Sequence, residues 1–135
     1  MRATVIFVVL ALTSIDARAE ENVGSTRWLY KVCKQVEQSR EGEELSTADK
    51  IDALQCKSYM AGAFQGYNWA TADKCNLTNA TSGDLTKMFL HVYRTMPEGN
   101  RDNTAQTSVG MVLDTCFCHD DLELEKVMCP ALPPS

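Results

Sequence analysis

The chain has 135 residues, a formal net charge of −5 and six cysteines. This length fits a single domain. The acidic balance argues against nucleic acid and anionic membranes as partners, whereas a basic protein surface would be attracted to it.

Residues 1–19 have the form of a secretory signal peptide. Arg2 provides the basic start, an apolar core runs from Ala3 to Leu12, and Ala17 and Ala19 frame a cleavage site. The apolar core is about half the ~20 residues that a membrane span needs. Two of the 13 basic and one of the 18 acidic residues lie in this leader, so the mature domain, residues 20–135, has a net charge near −6. We therefore expect an exported protein with no membrane contact after cleavage.

All the cysteines lie in the mature part: Cys33, Cys56, Cys75, Cys116, Cys118 and Cys129. An even number of cysteines in an exported chain favours disulfides, although the sequence does not choose among the pairings. The alternative is a metal site made by the Cys116, Cys118, His119 and Cys129 group. Its C-x-C spacing is tighter than the spacing in most structural zinc sites, so we expect no metal and no cofactor.

The first predicted helix begins at Ser25 or Thr26, either of which can cap it, and runs to about Ser39. Its apolar stripe consists of Trp28, Leu29, Val32, Cys33 and Val36. The charged segment Arg40–Leu45 contains a glycine and predicts an exposed loop.

The second predicted helix runs from about Ala48 to Ala70, with Ser46 and Asp49 spaced as a capping box. Helical periodicity places one set of residues on one side: Ala53, Cys56, Met60, Ala63, Phe64 and Tyr67. The run from Met60 to Trp69 has little polar character, so we expect a largely buried central helix. A glycine inside a helix costs about 1 kcal/mol relative to alanine. Gly62 and Gly66 therefore indicate close approach of a neighbouring backbone.

A loop around Cys75 leads to a third predicted helix, which starts at a Thr81–Asp84 capping box and ends before Pro97. Its apolar stripe consists of Leu85, Met88, Phe89, Val92 and Met96. The segment Glu98–Asp102 is a second polar loop.

The fourth predicted helix begins at a capping box of Asn103 and Gln106. Its apolar positions are Ala105, Val109, Val112, Leu113 and Cys116. Gly110 either weakens this helix or marks another close backbone contact. Residues 119–135 form an acidic tail in which Leu122 to Met128 can make a short helix. Because no segment alternates with period two, the predicted fold is all-α: a compact bundle of four to five helices crosslinked by disulfides.

The sequence contains no arrangement of residues that strongly indicates catalysis. The only histidines are His91, inside a predicted helix, and His119, beside two aspartates; neither is paired with a nucleophile. The paired acidic residues lie in charge runs, which are usually solvated faces, and phosphate-loop and zinc-protease motifs are absent from the sequence. We expect a binding protein and no enzyme activity.

One family shares the order of these features. The chain has W-L-Y-K-V-C ending at Cys33, then C-x-x-Y-x-x-G-x-x-x-G from Cys56 through Tyr59 and Gly62 to Gly66, then the single Cys75. A helix stopped by Pro97 and a closing C-F-C at 116–118 follow. Over residues 26–118 the chain resembles the Rap/Tai-type immunity proteins of bacterial type VI secretion. We expect Tyr59, Gly62 and Gly66 to act in helix packing.

The resemblance implies a periplasmic protein that binds a peptidoglycan-degrading effector, such as an amidase, and blocks its active site. It also implies a Cys33–Cys56 disulfide and a second one from Cys75 to Cys116 or Cys118. The remaining C-F-C cysteine would then pair with Cys129. A homodimer is also expected on family grounds.

Two loops are candidates for the contact with an effector, Arg40–Leu45 and Glu98–Asp102. The second has fixed ends because it lies between clear helix stop and start signals. Its contact residues would be Glu98, Asn100, Arg101 and Asp102. The alternative functions are an acid-activated periplasmic chaperone and an exported helical carrier for a small apolar ligand.

Overall fold

The structure is a computed structural model that describes residues 22–71, 75, 77, 79–118 and 129. Its four α-helices are α1 (Thr26–Arg40), α2 (Thr47–Thr71), α3 (Ser82–Thr95) and α4 (Ala105–Leu113). A 3₁₀ turn, Glu98–Asp102, connects α3 to α4, and a π-helical turn, Asp114–Cys118, follows α4. The predicted all-α bundle is confirmed. The predicted signal peptide and the predicted short helix in the tail lie outside the described residues.

Three of the predicted helix starts are made by the side chains that the sequence indicated. Ser25 caps α1, and the Ser46 hydroxyl accepts a hydrogen bond from the Asp49 amide at 3.2 Å. At α3 the capping box is reciprocal: Thr81 Oγ1 accepts from the Asp84 amide at 3.1 Å, and the Asp84 carboxylate accepts from the Thr81 amide at 2.9 Å. These bonds satisfy amides that have no partner inside the helix.

The predicted cap of α4 is wrong by one residue. Thr104, not Asn103, is the N-cap, and its hydroxyl accepts from the Thr107 amide at 3.2 Å. The Asn103 carbonyl instead accepts two bonds from α1, from the Thr26 amide at 2.8 Å and the Thr26 hydroxyl at 2.9 Å. Asn and Thr are both good caps, so the choice depends on this pairing with α1.

The starts of α1 and α4 are joined by a buried polar contact. The Ala105 amide donates to the Gly24 carbonyl at 2.7 Å, and Gly24 has φ +94°, a conformation that favours glycine. Thr26 is fully buried, and its hydroxyl lies 2.6 Å from the Ser108 hydroxyl. The two helices therefore begin side by side although they are distant in sequence.

The core lies around α3, which contributes the largest set of buried residues: Leu85, Thr86, Met88, Phe89, Leu90, Val92 and Tyr93. The predicted stripe of α1 also faces this core, with Leu29, Val32, Cys33 and Val36 buried and Trp28 packed at its edge. From α4, Ala105, Val109, Val112 and Leu113 are buried. These positions have the helical spacing from which they were predicted.

The prediction of a largely buried α2 is wrong. Only Ala53, Cys56 and Met60 are buried on this helix, while Trp69 is 89 % exposed and Leu54 62 % exposed. The predicted side of the helix does face the core. Leu54 lies about 200° around the helix from the buried Cys56 and so faces away from α1. For Trp69 the reason is length: α2 has 25 residues against 15 in α1 and 14 in α3, so these neighbours are too short to cover it along its length.

Three disulfides crosslink the bundle. Cys33 of α1 is bonded to Cys56 of α2, with their Cα atoms 4.9 Å apart. Cys75 is bonded to Cys118 rather than to Cys116, and Cys116 is bonded to Cys129. Among the described helices, including the long α2, there is none with the length and apolar content that a membrane span requires.

Candidate functional site

The sequence-predicted contact residues lie together on the 3₁₀ turn Glu98–Asp102. The Asp102 carboxylate accepts from Arg27 of α1, with Nη2 at 3.0 Å and Nε at 3.2 Å. This hydrogen bond, with the charge attraction that accompanies it, raises the pKa of the Arg27 guanidinium. Both side chains remain exposed to solvent, at 38 % and 72 %, so the pair positions the turn without being buried.

The next residue, Arg101, is held by aromatic rings. Its guanidinium carbon lies 5.1 Å from the centroid of the Tyr93 ring, a cation–π distance. Tyr93 in turn stacks on Tyr30 of α1, with centroids 3.9 Å apart and planes 11° apart. Arg101 and Asp102 are therefore already engaged within the bundle, whereas Glu98 and Asn100 are exposed. Their role in partner binding stays a prediction.

A second surface was not predicted from the sequence. A groove of about 360 Å³ opens between α2 and α4, and we call it the α2–α4 groove. The described residues that line it are Tyr59, Gly62, Ala63, Gly66, Tyr67, Gln106, Val109, Gly110 and Leu113. None of these side chains carries a charge. Val109 and Leu113 are almost completely buried and form part of the apolar core beneath the groove.

The groove exists because three glycines leave space unfilled. A Cβ atom built on Gly62, Gly66 or Gly110 would meet no atom within 4 Å beyond its own stretch of helix, among the residues described. The prediction that Gly62 and Gly66 mark a close backbone approach is therefore wrong, and so is the close-contact interpretation of Gly110. These glycines face an opening, because the neighbouring helix backbone does not come within contact distance of them.

The two tyrosines of the groove have different surroundings. Tyr59 packs edge-on against Trp28 of α1, with ring centroids 6.2 Å apart and planes 78° apart. Tyr67 donates a hydrogen bond to the carboxylate of Asp114, the first residue after α4. Burial raises the pKa of Tyr67, and the bond to Asp114 raises it further. The exposed Asp114 is thus an acidic group beside a lining residue of an otherwise uncharged groove.

The exposed side of α2 next to the groove is also uncharged. No charged side chain occurs from Ser58 to Thr71, and Trp69 is the most exposed large hydrophobic residue among those described. Trp69 follows Gly62 by seven residues, which places both on one face of the helix. We call Gly62, Gly66 and Trp69 the α2 face. An exposed apolar face beside an apolar groove is typical of an interaction surface.

The uncharged, glycine-containing segment of α2 was visible in the sequence, but it led us to predict a buried helix and not an exposed site. An uncharged segment with two glycines has the same composition whether a neighbouring helix or a partner covers it. The sequence did not predict that Gln106 and Asp114 lie beside α2, because their positions relative to α2 depend on where α4 packs.

The described residues do not assemble a group of three or more histidine, cysteine or acidic side chains that could hold a metal. Cys116, Cys118 and Cys129 are in disulfides, and His119 lies outside the described part of the chain. His91 is partly buried on α3.

Comparison with protein-family models, with curated proteins and with solved structures finds no match to this chain.

Proposed function

We propose that this protein is a periplasmic immunity-type protein that binds a cell-wall-degrading effector, such as a peptidoglycan amidase, and blocks its active site. The observation that carries the proposal is the α2 face, on which Trp69 is 89 % exposed beside an open apolar groove. Burying such a face against a partner removes apolar area from water, which is the main favourable term in most protein association. The motif order that resembles the Rap/Tai-type proteins supports the choice of partner.

The disulfides support an inhibitory role because they make the surface rigid before binding. The Cys33–Cys56 bond ties α2 to α1, and the Cys75–Cys118 bond joins the segment after α2 to the turn after α4. The first bond therefore holds α2 on α1, and the second connects α2 and α4 to each other through the residues that follow them. A preorganised surface loses less conformational freedom on binding, so more of the contact energy appears as affinity.

Charge supports a basic partner. The mature domain has a net charge near −6, so a basic effector surface would be steered toward it. The exposed Glu98 and Asn100 are then suited to contacts at the rim. Asp102 would contribute less, because it is already paired with Arg27.

The proposal can be tested by protection. The genes beside the one for this chain would be searched for a cell-wall amidase, and the chain, with its own leader, would be co-expressed with that amidase targeted to the periplasm. We expect cells to survive and the two proteins to co-purify at neutral pH. Trp69→Ala should weaken both effects, while Asn68→Ala, a substitution on the neighbouring exposed position, should leave them intact. Lysis at the same rate with and without the chain would reject the immunity function.

A second candidate function is an exported carrier for a small apolar ligand. It is favoured by the volume of the groove, about 360 Å³, which lies within the ~300–1,000 Å³ range of small-molecule pockets. Native mass spectrometry of the protein isolated from its own host distinguishes the two functions. A retained small molecule of constant mass would support the carrier, and protein without one, together with amidase binding, would support immunity.

A further inference from the structure

We propose that the α2–α4 groove receives one apolar side chain of the partner, and that a basic residue next to that side chain pairs with Asp114. This inference rests on the proposed function, because it names the surface and the chemistry through which the effector is held. The exposed turn Glu98–Asp102 becomes a secondary contact.

The shape and chemistry of the groove specify an apolar anchor. Its floor is apolar core, where Val109 and Leu113 are at most 2 % exposed. Tyr59 and Tyr67 line it from α2, and Gln106 lines it from α4. Interface anchors of this kind fill a pocket from which water is excluded, and such anchors dominate the binding energy of an interface.

The glycines are the second argument. Each interior glycine lowers the stability of its helix relative to alanine. At Gly62, Gly66 and Gly110 the described structure shows no neighbour that an alanine would strike. Three such positions on two helices face one opening, so the space that they leave is best explained by an occupant that enters from outside the bundle.

Charge complementarity identifies the neighbour of the anchor. Asp114 is exposed, lies against Tyr67 and is the acidic side chain in direct contact with a described lining residue. The phenol of Tyr67 donates a hydrogen bond to its carboxylate, which holds this acidic group at the edge of the groove. A lysine or arginine beside the apolar anchor would pair with this carboxylate, whereas an acidic neighbour would be repelled by it and by the net negative charge of the chain.

The first test fills the groove. Gly66→Leu and Gly110→Leu each place a side chain in the opening, and leucine is a better helix former than glycine, so both variants should fold. Asn68→Leu is the matched control, since it is exposed on α2 but lies about 200° around the helix from position 66. The probe is the purified, catalytically inactivated amidase encoded beside the gene. We expect each groove variant to lose at least about 30-fold in affinity, the size of an interface hot spot, and Asn68→Leu to bind like the wild type.

A second test isolates the anchor and its neighbour. Millimolar N-acetyl-leucyl-lysine amide is titrated into the full protein and followed by NMR through the backbone amides of Gly62, Gly66 and Gly110. We expect these resonances to shift, and N-acetyl-leucyl-glutamate amide to shift them much less. Asp114→Asn should remove most of the difference between the two peptides.

The two tests separate this inference from the proposed function. If the wild type binds the amidase and Gly66→Leu and Gly110→Leu bind it equally well, the groove inference is overturned while the immunity function stands. If the amidase does not bind but the lysine peptide shifts the groove glycines selectively, the groove is supported and the immunity function is rejected. Equal shifts by both peptides, or a small molecule retained in the groove, would contradict the basic protein anchor.

Discussion

The phenol of Tyr67 on α2 donates a hydrogen bond to the carboxylate of Asp114, which directly follows α4. This contact connects the two helices at the groove between them, over a sequence separation of 47 residues. Burial raises the pKa of Tyr67, and the hydrogen bond to Asp114 adds to the shift. Tyr67 therefore keeps its proton at a pH where an ordinary tyrosine has lost it.

This shift predicts a loss of stability in alkaline solution. In the unfolded chain Tyr67 ionises near its ordinary pKa of about 10, whereas in the folded protein it ionises only at higher pH. Below pH ~10 both states hold the proton and the group adds no pH dependence. Above that value the unfolded state binds fewer protons, so the free energy of unfolding falls as pH rises. Urea unfolding measured from about pH 9 to about pH 11 should show this fall.

Tyr67→Phe should remove this part of the alkaline decline and the last component of the phenolate absorbance titration. Tyr59→Phe is the comparison, because burial is the cause that raises the pKa of Tyr59. If Tyr67→Phe removes a component with the ordinary tyrosine pKa of about 10 and the late component remains, the contact with Asp114 does not hold the proton.

Replacing the groove glycines with alanine should stabilise the protein. Gly62→Ala and Gly66→Ala add a Cβ that meets nothing, in a helix where glycine is unfavourable. We expect each substitution to raise the free energy of unfolding by about 0.5–1 kcal/mol. Chemical denaturation measures this directly. A decrease would mean that another backbone does approach α2 at these positions.

Two other glycines serve as controls for that series. Gly42 has φ +84°, where a side chain is strained, so Gly42→Ala should lower the free energy of unfolding by about 1 kcal/mol. At Gly83 an added Cβ would lie 3.1 Å from the Arg40 guanidinium, a tight contact. Gly83→Ala should therefore be less favourable than the substitutions on α2.

The buried hydroxyl pair between α1 and α4 should show strong coupling. Thr26→Val keeps the shape of the side chain but leaves the Ser108 hydroxyl without its 2.6 Å partner. It also removes the donor to the Asn103 carbonyl. We expect a loss of about 1–3 kcal/mol, the cost of an unsatisfied buried polar group. Adding Ser108→Ala should cost less in the Thr26→Val background than in the wild type, and additive losses in this double-mutant cycle would contradict the contact.

Removing the disulfide between α1 and α2 should destabilise the bundle by loop entropy. The Cys33–Cys56 bond closes a loop with a sequence separation of 23 residues. The Cys33→Ala, Cys56→Ala double variant should lose about 3 kcal/mol by the chain-entropy estimate, and more because both residues are fully buried. Reduced and oxidised samples with equal denaturation midpoints would argue against the bond.

Local patterns predicted most of the helices. The stripe from Leu29 to Val36 and the Thr81–Asp84 box determine the face and start of α1 and α3, because both signals act within one or two helical turns. The predicted bounds of α2 are within one residue of Thr47–Thr71 for the same reason. At α4 the local signals were ambiguous, since Asn103 and Thr104 can both cap, and the pairing of Asn103 with Thr26 decides between them.

The candidate site was predicted less well. Glu98, Asn100, Arg101 and Asp102 do share one exposed turn, but the contacts of Arg101 with Tyr93 and of Asp102 with Arg27 could not be read from sequence. The groove was missed because Gly62 and Gly66 are compatible with either a close contact or an empty space. Composition cannot distinguish a close backbone contact from an empty space, since glycine, which has no side chain, is suited to both.

By itself, the sequence determined the helical character, the order of the helices and their buried stripes, because helix propensity, capping and periodicity act between near neighbours. It also supplied an even set of cysteines for disulfides. Only the tertiary structure decided which side of α2 remains uncovered, that Cys75 bonds to Cys118, and that Asp114 meets Tyr67. These depend on how helices of unequal length pack against one another, and a 25-residue helix beside a nine-residue α4 leaves a surface that no local pattern describes.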